Sequence, residues 1–197
     1  MDWNEKYLGK DYFYGTEPND FLHAIANTWA TPKKILCIAE GEGRNAVFLA
    51  RLGHQVSAID SSSVAREKAL ALAEANNLQI DYQLADLNEF DFGTEQWDAI
   101  VSIFCHLPAA LRQKVHQDVE AGLVTGGLFL LEAYSPRQLK YTSGGPKDLG
   151  LLYELDSLKK DFKTMLWQQN QEIIRTIQEG TGHSGPSSVV QLLGQKQ

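Results

Sequence analysis

The stretch Ile35–Ala50, ILCIAEGEGRNAVFLA, reads as a strand, a glycine turn and a helix in immediate succession. Ile35–Ala39 is a continuous apolar run, the pattern of a strand buried on both faces. Gly41 and Gly43 stand where the chain reverses, and Arg44–Leu52 forms the helix, with Gly53 in the position beyond its end that tolerates positive φ. Such a turn is either a tight connection that needs glycine for its own geometry or a cradle for a ligand. In a cradle, small residues let the backbone approach, and the helix start offers free N–H groups and a positive dipole end. No Gly-Lys-Ser/Thr follows the glycines, which excludes a Walker-type phosphate loop.

Asp60 favours the cradle. It ends a second strand, Gln55–Ile59, 17 residues after Gly43, where an acidic side chain receives the ribose hydroxyls of a bound nucleoside. A carboxylate suits paired O–H donors in charge and geometry. The other duty open to Asp60, capping the next helix, can be met by Ser61, Ser62 or Ser63; Ser61 also counts among the cofactor-binding positions. Asp86, in QLADLNEF just past a third strand (Gln79–Leu84), is placed to accept an adenine amino proton while Leu87 packs on the ring; the competing reading is a turn aspartate. Gly41-x-Gly43-x-x-Ala46 with Asp60 also satisfies the nicotinamide-dinucleotide fingerprint. A chain of 197 residues leaves no room for the usual second substrate domain, so a small NAD-binding oxidoreductase is the less favoured reading.

Around this unit, strands alternate with helices. Val64–Ala75 is an alanine-rich helix, Ala99–Phe104 a fourth strand, Ala109–Glu120 an amphipathic helix, and Gly126–Gly127 turn into a fifth strand, Leu128–Ala133. That alternation implies a parallel sheet with right-handed crossovers and helices on both faces. Ser157–Phe162 is a short helix. Thr164–Glu179 and Ser187–Leu193 read as two antiparallel strands around GTGHSGP. Residues 1–33 form an aromatic, partly helical cover, with Pro18 at a helix start, and residues 34–197 the α/β core of a single domain.

Hydrophobic residues make up 43 % of the chain, and 18 basic against 25 acidic residues give a net charge of −7. There is no basic footprint for nucleic acid or an anionic membrane. Cys37 and Cys105 form no disulfide framework, and no apolar run approaches a membrane span. These features give the expectation of a cytoplasmic protein.

With these residues in place, the chain resembles the class I S-adenosylmethionine-dependent methyltransferases, and within them the tellurite-resistance and thiopurine methyltransferase group. The resemblance covers nearly the whole chain. EGEGRNAVFLARLGHQVSAIDSS carries it most closely, and DYFYGTEPNDFL, LADLNEFDF, HLPAALRQKV, GGPKDLGLLYELDSLKKDF and EGTGHSGPSSVVQL support it. It implies a Rossmann-like, seven-stranded, mostly parallel sheet with an antiparallel last strand, and S-adenosylmethionine as cofactor. It assigns Ala39–Gly43 to the methionine moiety, Asp60 to the ribose, and Asp86 with Leu87 to the adenine. Two departures stand out: Cys37 where the family usually has an acidic residue, and Ala39 where it often has glycine. Glu40 is then the candidate partner for the cofactor's ammonium group.

The implied reaction is methyl transfer to a small-molecule acceptor, in which alignment is the main contribution of the protein. The sequence shows no obvious base–nucleophile pair, which favours a thiol or reduced chalcogen that needs no strong base. A non-catalytic adenosyl-binding protein or sensor is the alternative. His106 and His183 are candidates for groups beside the transferred methyl, each against a plainer structural role. Tyr14 is expected over the cofactor; Trp3 and Tyr7 either join it there or close the core. Arg137, Lys140 and Lys147 bias the rim toward an anion. No histidine set shows metal-ligand spacing. Asp161, on the short late helix, is expected to be indifferent to substitution.

Overall fold

The computed structural model describes residues 2–30 and 32–197. The glycine turn forms as the pattern requires. β1 (Lys34–Ile38) is followed by Gly41 and Gly43 at φ 64° and 90°, and α3 (Arg44–Arg51) starts immediately after. Gly43 has a second reason to lack a side chain, because a Cβ there would lie 2.6 Å from the Cβ of Ala69. That contact seats α3 against α4 (Ser63–Ala75). Gly53, at φ 89°, ends α3.

β2 (Gln55–Asp60), β3 (Asp81–Leu84), β4 (Trp97–Ile103) and β5 (Leu123–Tyr134) lie parallel to β1. β6 (Met165–Glu179) and β7 (His183–Lys196) close the sheet, β7 running antiparallel to both of its neighbours. Among the described residues the seven strands follow the order β3-β2-β1-β4-β5-β7-β6. Alternate β1 side chains divide between two cores. Ile35 and Cys37 pack with Phe21, Leu22, Val47, Leu49 and Leu72 on the side of α3 and α4. Leu36 and Ile38 pack with Val115, Val119, Phe129 and Leu158 on the side of α5 (Ala109–Gly122) and α6 (Leu155–Lys160). A strand covered on both faces must be apolar throughout, which explains why ILCI carries no polar residue.

The N-terminal cover holds α1 (Trp3–Tyr7), capped by Asp2, and α2 (Asp20–Ala26), whose start is fixed by the Asn19 side chain accepting from the Leu22 N–H. No helix among the described residues is long and apolar enough to cross a membrane.

Two boundaries differ from the sequence reading. β5 begins at Leu123, and Gly126–Gly127 form a register irregularity inside it: Trp97 pairs with Leu123, and Ala99 with Leu128. β7 begins at His183, so the loop after β6 is only the turn 180–182 and Glu179 pairs with His183 across it. Asp161 also departs from expectation. It is 6 % exposed and accepts hydrogen bonds from Arg112 Nε and His116 Nδ1, both at 2.8 Å. It ties α6 to α5 and is no neutral position.

Candidate functional site

The chain leaves β1 toward β2 and β3 on one side, then returns to β4 on the other. Beyond the carboxyl ends of the strands at such a reversal lies the crevice in which open α/β sheets bind ligands. Here it is a cavity of ≈ 700 Å³.

One end is lined by Ala39, Glu40, Asp60, Ser61, Asp86 and Leu87, with Trp3, Tyr7 and Tyr14 from the cover. Asp60 Oδ2 accepts the Gly41 N–H at 3.0 Å and Oδ1 the Ser62 N–H at 2.9 Å. Burial nevertheless raises the Asp60 carboxyl above its ordinary value. Ser62, not Asp60, caps α4. Glu40 Oε1 accepts the N–H groups of Asn45 and Ala46 at 2.9 and 2.7 Å, closing the start of α3. Burial pushes its carboxyl up to about 7. Neither carboxylate forms an ion pair among the described residues, so both suit a ligand that brings an ammonium and O–H donors. Ala39 sits at φ 49°, in the region that favours glycine, with its side chain on the cavity wall. Asp86 is exposed on the rim, and its Oδ1 accepts the Asn88 N–H at 2.8 Å. The turn role and the rim position coexist. Gly41 and Gly43 shape the turn beneath, without lining the cavity themselves.

The other end is lined by Phe104, His106, Tyr134, Gly144, Gly145, Lys147 and His183. His106 Nδ1 donates to the Leu151 carbonyl at 2.7 Å, and Nε2 accepts the Tyr134 N–H at 3.3 Å. Both ring nitrogens therefore serve the backbone, and burial pushes the imidazole down to about 4. His183 differs. Its Nδ1–H donates to Glu179 Oε2 at 3.0 Å, while Nε2 makes no hydrogen bond among the described residues. Burial lowers the His183 pKa although Glu179 opposes that shift, so the ring is neutral near pH 7. Burial alone would raise the Glu179 carboxyl, but the bond from His183 and the Arg44 guanidinium hold it at about 2. Phe104 is bent to φ 53° and its ring meets Tyr134 and His183, at centroid distances of 4.7 and 4.6 Å. The Tyr134 hydroxyl is fully buried and meets hydrogen-bond geometry with no group, the Ser187 side chain being near enough only to favour its ionised form slightly.

Residues 35–127 match the family model described as "Methyltransferase domain". Over its whole length the chain has the fold of solved methyltransferase structures. One, reported for conversion of a disulfide bond into a thioacetal group during echinomycin biosynthesis, superposes with a TM-score of 0.78 at 16 % identity, covering 98 % of this chain and 87 % of that one. TehB from Haemophilus influenzae gives 0.74 at 21 % identity over 99 % of this chain and 66 % of that one. An S-adenosylmethionine-dependent methyltransferase from Methanosarcina mazei gives 0.71 at 16 % identity over 91 % and 98 %. A curated relative, "Hemagglutinin 1" of Eikenella corrodens, is 29 % identical over 126 residues, 61 % of this chain; the chain thus spans less than half of that protein, 42 %.

The match to the methyltransferase domain ends at Gly127. It takes in the end of the cavity built by Glu40, Asp60 and Asp86, and stops before Tyr134, Glu179 and His183. Of the cationic residues expected on the rim, Lys147 lines the cavity, whereas Arg137 pairs with Glu172 at 3.5 Å on the outside. Sequence reasoning missed three contributors: Glu179, Tyr134 and Arg44, the last a wall residue whose Nη2 bonds Glu179 at 2.8 Å. The signal for Glu179 was its place four residues before His183, legible only once the turn between them is known to be three residues long.

Proposed function

We propose that this chain binds S-adenosylmethionine in the cavity and transfers its methyl group to a small-molecule acceptor. The observation that carries the reading is the pair of buried, cation-free carboxylates, Glu40 and Asp60, on one wall of a cavity at the reversal point of the sheet. Glu40 would face the ammonium of the methionine end, Asp60 the ribose hydroxyls, and Asp86 with Leu87 the adenine. Trp3, Tyr7 and Tyr14 would cover the cofactor and keep water from it. When bound, the cofactor supplies a methyl group made electrophilic by the adjacent sulfonium. The chain contributes placement, an effect worth up to roughly 7–11 kcal/mol in favourable systems. The family match and the methyltransferase folds of the structural neighbours support this reading.

Calorimetric titration with S-adenosylmethionine, S-adenosylhomocysteine and NAD tests it. Both adenosyl compounds should bind and NAD should not; binding of NAD alone would refute it. The Ala39 side chain on the cavity wall favours one other reading, a non-catalytic adenosyl-binding protein. Tight adenosyl binding with no methyl transfer to thiol, chalcogen, amine or carboxylate acceptors would select that one.

A further inference from the structure

At the end of the cavity away from Glu40 and Asp60, two polar groups are left without partners and face the same space. A Cβ built on Gly144 would lie 2.7 Å from Cδ2 of His183 and 3.0 Å from the Tyr134 hydroxyl. Any side chain at position 144 would fill that space, and Gly144 holds φ 131°, a conformation open to glycine. Tyr134 is fully buried, and its unpartnered hydroxyl carries a desolvation cost that a ligand would relieve. His183 has its Nδ1–H committed to Glu179, which leaves a lone pair on Nε2, on the opposite side of the ring. The walls around them are rings: Phe104, His106 and Tyr14.

We propose that this end of the cavity is an acceptor subsite for a neutral molecule whose reacting atom carries a hydrogen, as O–H, N–H or S–H, with Tyr134 and His183 holding that atom and Nε2 of His183 receiving its proton. The proposal rests on the adenosyl-cofactor reading. The acceptor's lone pair forms the new bond to the methyl carbon, the carbon–sulfur pair returns to sulfur, and the proton of the acceptor passes to Nε2. The cofactor's positive charge is thereby transferred to the imidazolium, where Glu179, 3.0 Å from Nδ1, compensates it, and water removes the proton afterwards. Glu179 is a positioning residue: it fixes the tautomer and is itself held by Arg44 and Asn19. An acceptor that arrives as an anion needs no such pair. His106 takes no part, since both its nitrogens serve the backbone.

Two measurements test the subsite. Long-range proton–nitrogen NMR on histidine-labelled protein, free and with S-adenosylhomocysteine, should show His183 protonated at Nδ1 and bare at Nε2 near pH 7. The groups facing it are Glu179 from β6, Arg44 from α3, Lys6 from α1, Tyr14 from the cover, Tyr134 from β5 and His106 after β4. Together with burial they should keep its titration below that of an exposed histidine. Labelled-methyl transfer is then compared across phenol, imidazole and 2-mercaptoethanol on one side and selenite and pentafluorothiophenolate on the other. Transfer should favour the first set. It should fall about 100-fold or more in His183→Asn, while S-adenosylhomocysteine affinity stays unchanged. Tyr134→Phe, which removes an unpartnered hydroxyl and leaves the fold intact, should raise KM with a smaller change in kcat. Transfer confined to the anions, equal rates in His183→Asn, a bare Nδ1, or no transfer to any acceptor with the cofactor bound overturns the subsite and leaves the cofactor reading standing. Failure of both adenosyl compounds to bind overturns the cofactor reading as well.

Discussion

Cofactor binding should be coupled to the ionisation of Glu40. In the free protein burial holds this carboxyl at about 7, so below that pH it is mostly protonated. An ammonium group opposite it favours the carboxylate, so affinity must fall as the solution is acidified. With a free-protein value of about 7 and full ionisation in the complex, the apparent Kd scales as one plus the ratio of protonated to ionised Glu40. That ratio is about 30 at pH 5.5 and about 0.3 at pH 7.5, a loss of roughly 25-fold or about 1.9 kcal/mol in binding. Near pH 6.5, binding should release about 0.75 proton, read from calorimetry in buffers of different ionisation enthalpy.

Glu40→Gln is the informative variant. Its amide oxygen still accepts the Asn45 and Ala46 N–H groups that Oε1 now takes, so the start of α3 is preserved. The variant should bind S-adenosylhomocysteine at all these pH values about as weakly as the wild type does near pH 5.5, with no proton release. A wild-type Kd that is flat from pH 5.5 to 7.5, or a variant that keeps the slope, would refute the assignment of Glu40 to the ammonium.

Asp60→Ala should weaken adenosyl binding by about 30- to 150-fold, the loss of roughly 2–3 kcal/mol of charge-assisted hydrogen bonding, measured by the same titration. Asp161→Ala leaves Arg112 and His116 buried without their partner; it should cost about 3–5 kcal/mol and lower Tm by roughly 6–20 °C. The exposed Glu67→Ala should stay within about 0.5 kcal/mol of wild type in the same thermal scan. Gly43→Ala places a methyl group 2.6 Å from Ala69 at φ 90°, and the overpacking and strain should destabilise the fold by about 2–4 kcal/mol in denaturant unfolding.

The strand–turn–helix at Ile35–Ala50 was legible because each part carries a local signature: a doubly buried strand, glycines where φ is positive, and a helix with its own stop. The cofactor wall followed from strand ends, since Asp60 and Asp86 needed only the rule that ligands sit beyond them. What sequence pattern hid lies where local signals mislead. Gly126 and Gly127 look like a turn, yet β5 runs through them with a register shift. Gly185 and Pro186 look like a loop, yet they belong to β7. Pairing explains why proline is tolerated there. β7 meets β5 only from Val189 onward, so residues 183–188 border β6 alone and need no second ladder. α1, five residues long, is too short to show periodicity and exists through its Asp2 cap and its contact with α4, where Asn4 Oδ1 accepts the Ser62 hydroxyl.

The concealed hairpin also determines what the acceptor end can do. Glu179 and His183 sit opposite each other because the turn between them is three residues, and their orientation is held by groups that arrive from distant parts of the chain. Asn19 Nδ2 donates to both Glu132 and Glu179, Arg44 binds Glu179, and Arg175 binds Glu132 with its Nη2 at 2.6 Å. Two carboxylates thus face two guanidiniums, an arrangement in which removing one member strands the rest, whereas the complete set is compensated. Because the set is neutral overall, it can hold His183 uncharged and keep one of its nitrogens bare in a buried wall. A lone histidine on a loop would carry neither constraint. The long β6–β7 hairpin is therefore more than the closing edge of the sheet. Its turn docks on the cover, where the Thr181 and Gly182 N–H groups donate to the Phe13 carbonyl at 3.0 and 3.1 Å. The same element that positions the imidazole thereby fixes the segment carrying Tyr14 over the cavity.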